Sequence, residues 1–308
     1  MKKAFIEKNF NKRSLALIEI INEIMEDYDD EGYDLSLRQL YYQLVARNIV
    51  ENTERSYKNI GALVSDARLA GHLDWSMIQD RARDIHKNPH WENPRNFMEE
   101  VAPQYRHYLW KGQENYVEVM VEKQALEGVL IPVCERLDVT FQANKGYSSS
   151  SALYLAAKRF VTASRDGKNL HIIYLGDHDP SGIDMTRDIL DRMNLFVGQL
   201  AGEEVEVHRA ALNMAQIDEL RPPKNPAKLT DTRADDYVRK FGESSWELDA
   251  IEPRRLAKLV EDAIRDLMDK PLFDRLEREM MLNRSTLKAL VAEHYGDDDD
   301  DDFSDEEE

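Results

Sequence analysis

Residues 13–27, RSLALIEIINEIMED, place Leu17, Ile20, Ile21, Ile24 and Met25 on one recurring stripe, which predicts an amphipathic helix. YDDEGYD closes it. LSLRQLYYQLVARN predicts a second helix, capped by Ser36 and running to about Arg47, and NTERSYKNIGALVSDARLAGHL a third, capped by Asn52 or Thr53 and ending near Gly71. Residues 87–111 are rich in proline and aromatics and keep no period. From residue 116 the pattern alternates. YVEVMVE, DVTFQAN, LHIIYLGD and EVEVHRAAL read as strands, and KQALEGVLIPVCERL, SSSSALYLAAKRFVTASR and SGIDMTRDILDRMNLFVGQL as the helices between them. Such alternation predicts an α/β fold with a mostly parallel sheet covered on both faces. RPPKNPAKLTDTR reads as a loop and SWELDAIEPRRL as a short capped element; two amphipathic helices follow, over PRRLAKLVEDAIRDLMD and RLEREMMLNRSTLKALVAEHY. The expected organisation is a helical region over 1–86, a connector over 87–112, an α/β domain over 113–296 and a disordered acidic tail over 297–308.

With 308 residues and 42% hydrophobic content, the chain is long enough for two ordinary domains. Cys134 stands alone, which excludes an intrachain disulfide and a cysteine-based zinc cluster and fits a reducing compartment. No window approaches a membrane span, so no membrane partner is expected. The opening MKKAFIEKNFNKRS lacks the apolar core of a signal peptide, so a cytoplasmic location is expected. The net charge is −19, but the tail DDDDDDFSDEEE carries ten carboxylates, leaving −9 for the rest. Residues 36–111 hold eleven Lys/Arg against nine Asp/Glu, slightly basic within an acidic protein. Because phosphate contacts are made by one surface, that local balance bears on nucleic acid more than the total does.

Candidate chemistry starts at GDHDPSGIDM, residues 176–185, which follows an apolar strand. Asp177 and Asp179 project from the same side of an extended backbone, at like-charge distance. Two readings stand: Asp179 caps the next helix, or the pair holds a divalent cation. Glu122 ends another predicted strand, and strand carboxyl ends are where reactive groups of such sheets collect. Three carboxylates offer the hard oxygen ligands suited to Mg²⁺, with Mn²⁺ as a substitute, and Mg²⁺ at such a site handles phosphates. The two helices after Ser36, joined by the turn IVEN and followed by AGHLDWSMIQDRAR, fit a helix-turn-helix or winged-helix unit, a spacing that other small helical domains share. The aromatics Trp91, Phe97, Tyr105, Tyr108 and Trp110, interleaved with Arg95, Arg106 and Lys111, read either as a nucleic-acid stacking surface or, preferably, as packing at a domain junction.

VMVEK with DHDPSG downstream resembles the Toprim fold of topoisomerases, primases and related nucleases. VEKQALEGVL, NKGYSSSSALY, IIYLGDHDPSGIDM and WELDAI resemble successive blocks of the topoisomerase VI A subunit and of the transesterase that makes meiotic double-strand breaks. The resemblance covers roughly residues 30–260 in blocks, and the reduced, stand-alone A-like proteins of phages and mobile elements are the nearest in form. It implies a winged-helix domain followed by a Toprim domain. It also implies a nucleophilic tyrosine, which the family's R-x-[IL]-[FY]-Y helix matches in SLRQLYYQL to Tyr42, with Arg38 beside it. Mg²⁺ would be held by Glu122, Asp177 and Asp179. The implied activity is type IIB topoisomerase A-subunit-like (isomerase class) cleavage of double-stranded DNA through a 5′-phosphotyrosyl intermediate, in a homodimer whose active centres draw on both subunits. Strand passage in the family requires a separate ATPase B-type subunit, and this chain has no Walker loop of its own. Lys123 and Lys145 are candidate phosphate contacts. Arg55, Lys58 and Arg68 are expected on a shared helix face toward DNA. Asp184 is a candidate outer acidic group, while His178 and Glu247 are expected to be structural. Rival readings are a metal-dependent nuclease that activates water and leaves Tyr42 idle, and a non-catalytic DNA-binding regulator. The acidic tail reads as a solubilising end or as a DNA mimic.

Overall fold

The computed structural model describes residues 2, 4–33, 35–74, 88–227 and 230–296. The chain divides into two compact units, Met1–Arg83 with Glu114–Met268, and Asp84–Gln113 with Asp269–Glu308. The N-terminal helices and the sheet therefore fall in one unit. The aromatic stretch that reads as a connector falls with the last helix instead.

In the first unit, α1 (Lys12–Asp29) starts where the Asn11 side chain accepts from the Ser14 amide. Helix α2 (Leu37–Ala46) opens on a reciprocal capping box between Ser36 and Gln39. Helix α3 (Glu54–Leu69) starts at Thr53, whose hydroxyl accepts from the Ser56 amide. Their stripes meet in one core, with Ile21, Ile24 and Tyr28 from α1, Leu40 and Leu44 from α2, and Ile60 and Val64 from α3. Among the described residues up to Asp74 there is no strand; Ala4 bridges Ala70, and Leu35 is a further isolated bridge position. Most of the expected continuation AGHLDWSMIQDRAR lies outside the described residues. Helix α4 (Pro94–Val101) belongs to the second unit.

The sheet follows the predicted alternation: β1 (Asn115–Val121), α5 (Glu127–Arg136), β2 (Thr140–Ala143), α6 (Ser150–Arg165), β3 (Asn169–Leu175), α7 (Pro180–Ala201) and β4 (Val205–Ala211). The strands pair in parallel in the order β2-β1-β3-β4. After them come α8 (Met214–Leu220), the short β5 (Asn225–Pro226), α9 (Ala234–Phe241), β6 (Ser244–Ser245) and α10 (Pro253–Asp266). One face of the sheet presents Met120, Ile172 and Tyr174 to Leu153 and Phe160 of α6 and Ile189 and Met193 of α7. Helix α10 packs on α5 and reaches β3 and β4. Glu118, on β1, is fully buried and is held by the Arg159 guanidinium through two bonds of 2.7 and 2.6 Å. A buried carboxylate needs such a fork to offset its lost hydration.

The second unit packs α4 and the 3₁₀ turn Ala102–Gln104 against α11 (Lys270–Tyr295). Trp91 stacks edge-on to Phe97 at 4.7 Å and donates to Glu100 Oε2, while Trp110 is buried. Arg284 of α11 donates to the Tyr105 carbonyl at 2.7 Å. Of the five aromatics Trp110 is buried and Trp91 half-buried, while Phe97, Tyr105 and Tyr108 stay exposed. The acidic tail lies outside the described residues. Among those residues no helix is long and apolar enough to cross a membrane.

Candidate functional site

Strands β1 and β3 run parallel with Val121 opposite Leu175, so the residues that follow each strand end lie side by side. Glu122 Oε2 accepts from the Asp177 amide at 2.8 Å, and both carboxylates are buried. Burial and the neighbouring Asp177 charge push the Glu122 carboxyl up to about 7. Burial raises Asp177 as well, against the opposing pull of Lys123. Two of the three expected metal ligands therefore converge at the carboxyl end of the sheet.

Asp179 is placed differently. It is the N-cap of α7, and its Oδ1 accepts from the Gly182 amide at 2.6 Å and the Ser181 hydroxyl at 3.0 Å. Among the described residues, the one group of three or more His, Cys, Asp or Glu ligand atoms mutually within 4.8 Å lies elsewhere, so Asp179 does not complete a three-carboxylate cluster here. Its oxygen is committed to the orphan amides of the helix start.

Lys123 turns inward rather than out toward a DNA backbone. Its ammonium lies 2.8 Å from Asp177 Oδ2, 3.0 Å from Asp249 Oδ2 and 3.3 Å from Glu247 Oε2. Burial alone lowers its pKa, but these carboxylates more than reverse that and hold it above the ordinary lysine value. Lys145 bridges Lys123 through the backbone, and its side chain is exposed.

The segment WELDAI carries more than a structural glutamate. Glu247 pairs with Arg38 of α2 as well as with Lys123, and Asp249 Oδ2 lies 3.4 Å from Arg38 Nε. Burial raises the Glu247 carboxyl, but Lys123 and Arg38 outweigh it and hold the pKa below the usual range. The Leu248 amide donates to Asp177 Oδ1 at 2.7 Å, and Trp246 exchanges backbone bonds with His178. Every residue from Trp246 to Asp249 thus touches the end of the sheet or α2. Asp249 had no sequence signal beyond its place two residues after Glu247.

Tyr42 is 3% exposed. Its hydroxyl accepts from Asn225 Nδ2 at 3.5 Å and is hydrogen bonded to Arg38, one helical turn earlier. Burial raises the phenol above its ordinary pKa, against Asn225 and Arg38, which lower it. An unbroken chain of contacts therefore runs from the Tyr42 phenol through Arg38, Glu247 and Lys123 to Asp177 and Glu122. Tyr41, its neighbour, instead donates into the turn before α3, to the carbonyls of Glu51 and Thr53.

Of the three basic residues expected on one face of α3, Arg55 and Lys58 are exposed, with Lys58 paired to Glu54 at 2.7 Å. Arg68 departs from that expectation: it is half-buried, and burial lowers its pKa against Asp74. Thirteen residues after Arg55, it is turned about 220° around the helix axis. Asp184 is engaged outside the acidic pair, accepting from the Tyr147 hydroxyl at 2.6 Å and pairing with Arg187 and Arg233. His178 is structural, ringed by Phe241, Trp246 and Tyr237, with its Nδ1 2.7 Å from the Tyr237 hydroxyl. Burial brings its pKa down to about 4, so the ring is neutral; the Tyr237 hydroxyl proton is directed to the His178 and Ser244 carbonyls at 2.8 and 3.1 Å, which leaves its oxygen to accept from His178 Nδ1–H. Replacing Tyr237 by Phe orphans a buried imidazole N–H. The expected loss is about 1–2 kcal/mol of stability, read as a lower urea midpoint with unchanged slope.

The donor set fits a hard divalent cation. Glu122, Asp177, Glu247 and Asp249 lie among the cationic Lys123, Arg38 and Arg209 in one electrostatic cluster, an excess of carboxylates even with Asp179 committed to its cap. Asp249 Oδ1 is buried and accepts no hydrogen bond. Comparison with known proteins matches this chain to no family model and to no curated protein.

Proposed function

We propose that this chain is a DNA-cleaving transesterase of the topoisomerase VI A type, with a winged-helix-like N-terminal region and a Toprim sheet. The observation that carries the reading is the contact chain that ties the Tyr42 phenol, through Arg38 and Glu247, to Lys123 and the Glu122–Asp177 pair. Glu122 and Asp177 would hold Mg²⁺, which characteristically uses one or two carboxylates and fills its remaining positions with water and phosphate oxygens. Bound there, the ion supplies Lewis-acid stabilisation of charge on the phosphate.

The chain's own groups do the rest. Tyr42 Oη bonds to phosphorus as the P–O3′ bond breaks; the phenol proton passes to solvent and O3′ takes one up. Arg38, which bonds to the phenol, favours its ionised form and sits where the attacked phosphate would come. Lys123 fixes the Asp177 and Asp249 carboxylates through its ion pairs and opposes the burial-driven rise of the Asp177 pKa. Asp179 holds the turn that carries Asp177. In the ground state the phenol is buried with a raised pKa, so cleavage requires α2 to separate from the Glu247–Asp249 segment. Delivery of the phenol to the acidic pair of a second protomer in a homodimer accomplishes that.

The burial of Tyr42 also favours a second reading: a nuclease in which the same acidic pair and its metal activate water, with Tyr42 as a packing residue. One experiment separates them. The protein is incubated with supercoiled plasmid and Mg²⁺ or Mn²⁺, then treated with detergent and protease. The transesterase gives protein–DNA adducts at 5′ ends with wild type and none with Tyr42→Phe. Cleavage that persists in Tyr42→Phe without adducts means the nuclease. DNA binding without cleavage in either protein means the non-catalytic regulator.

A further inference from the structure

At the other end of the sheet, the parallel register sets His171 of β3 directly opposite Glu206 of the edge strand β4, with His208 two residues further along the same face. Three potential ligand atoms meet there. His171 Nδ1 and His208 Nε2 are 3.0 Å apart, and Glu206 Oε2 is 3.5 Å from the first and 3.6 Å from the second. In a tetrahedral zinc site with Zn–N and Zn–O bonds near 2.0–2.1 Å, neighbouring ligand atoms lie roughly 3.3 Å apart. The triangle of His171, His208 and Glu206 has edges of that size before any ion is added.

The surroundings select the form of His171 that binds metal. The Asn115 side-chain amide donates to the Leu267 carbonyl at 2.8 Å, which orients it so that its Oδ1 points back into the sheet. That oxygen accepts from Asn169 Nδ2 at 3.1 Å and faces His171 Nε2 at 3.2 Å. Since Asn115 Oδ1 can only accept, Nε2 of His171 carries the proton and Nδ1 presents its lone pair to His208 and Glu206. A carbonyl-type acceptor on the far nitrogen is the arrangement that fixes ring orientation and raises basicity in metal-bound histidines. His171 is buried at the base of the cluster, while the Glu206 and His208 side chains are 71% and 41% exposed, leaving an entry path and room for a water as fourth ligand.

We propose that His171, Glu206 and His208 form a Zn²⁺-class transition-metal site, separate from the acidic pair at Glu122 and Asp177. Two imidazoles and one carboxylate suit a borderline ion rather than Mg²⁺. Bound metal would tie the exposed edge strand β4 to the central β3.

The test uses the full chain and Co²⁺ as a spectroscopic stand-in for Zn²⁺. Wild type should take up one Co²⁺ with the visible absorption of a four- or five-coordinate N/O site, and Zn²⁺ should displace it. His208→Ala alters an exposed side chain that is not needed for folding. It should weaken Zn²⁺ binding at least tenfold and abolish the Co²⁺ spectrum, and Glu206→Gln should weaken binding as well. Glu122→Gln, which alters the other acidic site, should leave the spectrum in place. The proposal is overturned if wild type shows no such spectrum, leaving the two rings joined by a hydrogen bond alone. It is equally overturned if His208→Ala binds as wild type does, or if Glu122→Gln removes the spectrum.

Discussion

Gly182→Ala is expected to destabilise the protein by about 3 kcal/mol and to abolish metal-dependent DNA cleavage with it. A Cβ at Gly182 would lie 2.2 Å from the Asp177 carbonyl oxygen and 2.9 Å from its carbon, with Asp179 Oδ1 at 3.1 Å. The first two are backbone atoms of a tight turn, so no rotamer change relieves the overlap. The same turn is bound from below by Arg209, which donates to the Asp177 carbonyl at 2.5 Å and the Gly182 carbonyl at 3.0 Å. Opening the turn to admit a methyl group therefore breaks buried guanidinium bonds and moves the Asp177 carboxylate away from Glu122. Gly198→Ala, in the same helix, is the control. Its Cβ would meet nothing nearer than 3.8 Å, and the change should be neutral or stabilising by up to about 1 kcal/mol. Urea denaturation of both variants decides the matter. A Gly182→Ala midpoint equal to that of wild type would mean that the turn is not a rigid support.

Lys123→Met should cost about 3–5 kcal/mol, although methionine fits the same volume. The ammonium is the shared partner of Asp177, Asp249 and Glu247, and Asp249 is fully buried. Removing the cation strands carboxylates that have little water to turn to. The loss should also depend on pH with a definite sign. Burial raises the Asp177 pKa in the folded chain, and Lys123 is the main influence opposing that rise. Without Lys123 the folded-state pKa climbs further above the unfolded value near ~3.9, so the folded chain binds this proton more tightly than the unfolded chain. Stability of the variant therefore falls as pH rises through that window. The deficit against wild type should be smaller at about pH 5 than at about pH 8. A deficit below about 1 kcal/mol, or one that does not change with pH, would contradict the role assigned to Lys123.

Much of this protein is written in short-range pattern. Apolar spacing and capping residues locate α1, α2, α3, α6, α7 and α10 to within a few residues, because helix formation depends on neighbours three and four positions apart. The alternation of apolar runs with helical stretches is enough for a parallel sheet, since a parallel pair requires a crossover between its strands. Helices α4, α8 and α9 escape that reading because each is at most eight residues long, too short for a stripe to repeat.

At the site, strand-end position singles out Glu122 and Asp177, and the resemblance implies a metal-ligating role for Asp179 that its local sequence does not separate from a helix cap. Only the folded turn shows its carboxylate on the Gly182 amide. Glu247 and Asp249 became partners of Arg38 and Lys123 through contacts spanning more than one hundred residues of chain, and no local period encodes such a distance. The His171, Glu206 and His208 cluster was silent for the same reason: its members are ordinary strand residues until the register of β3 on β4 puts them on one face. Backbone preference and hydrophobic spacing act over a few residues and so survive in the linear text. Electrostatic partnership depends on where burial removes water and on which strands become neighbours, and those are properties the chain acquires only by folding.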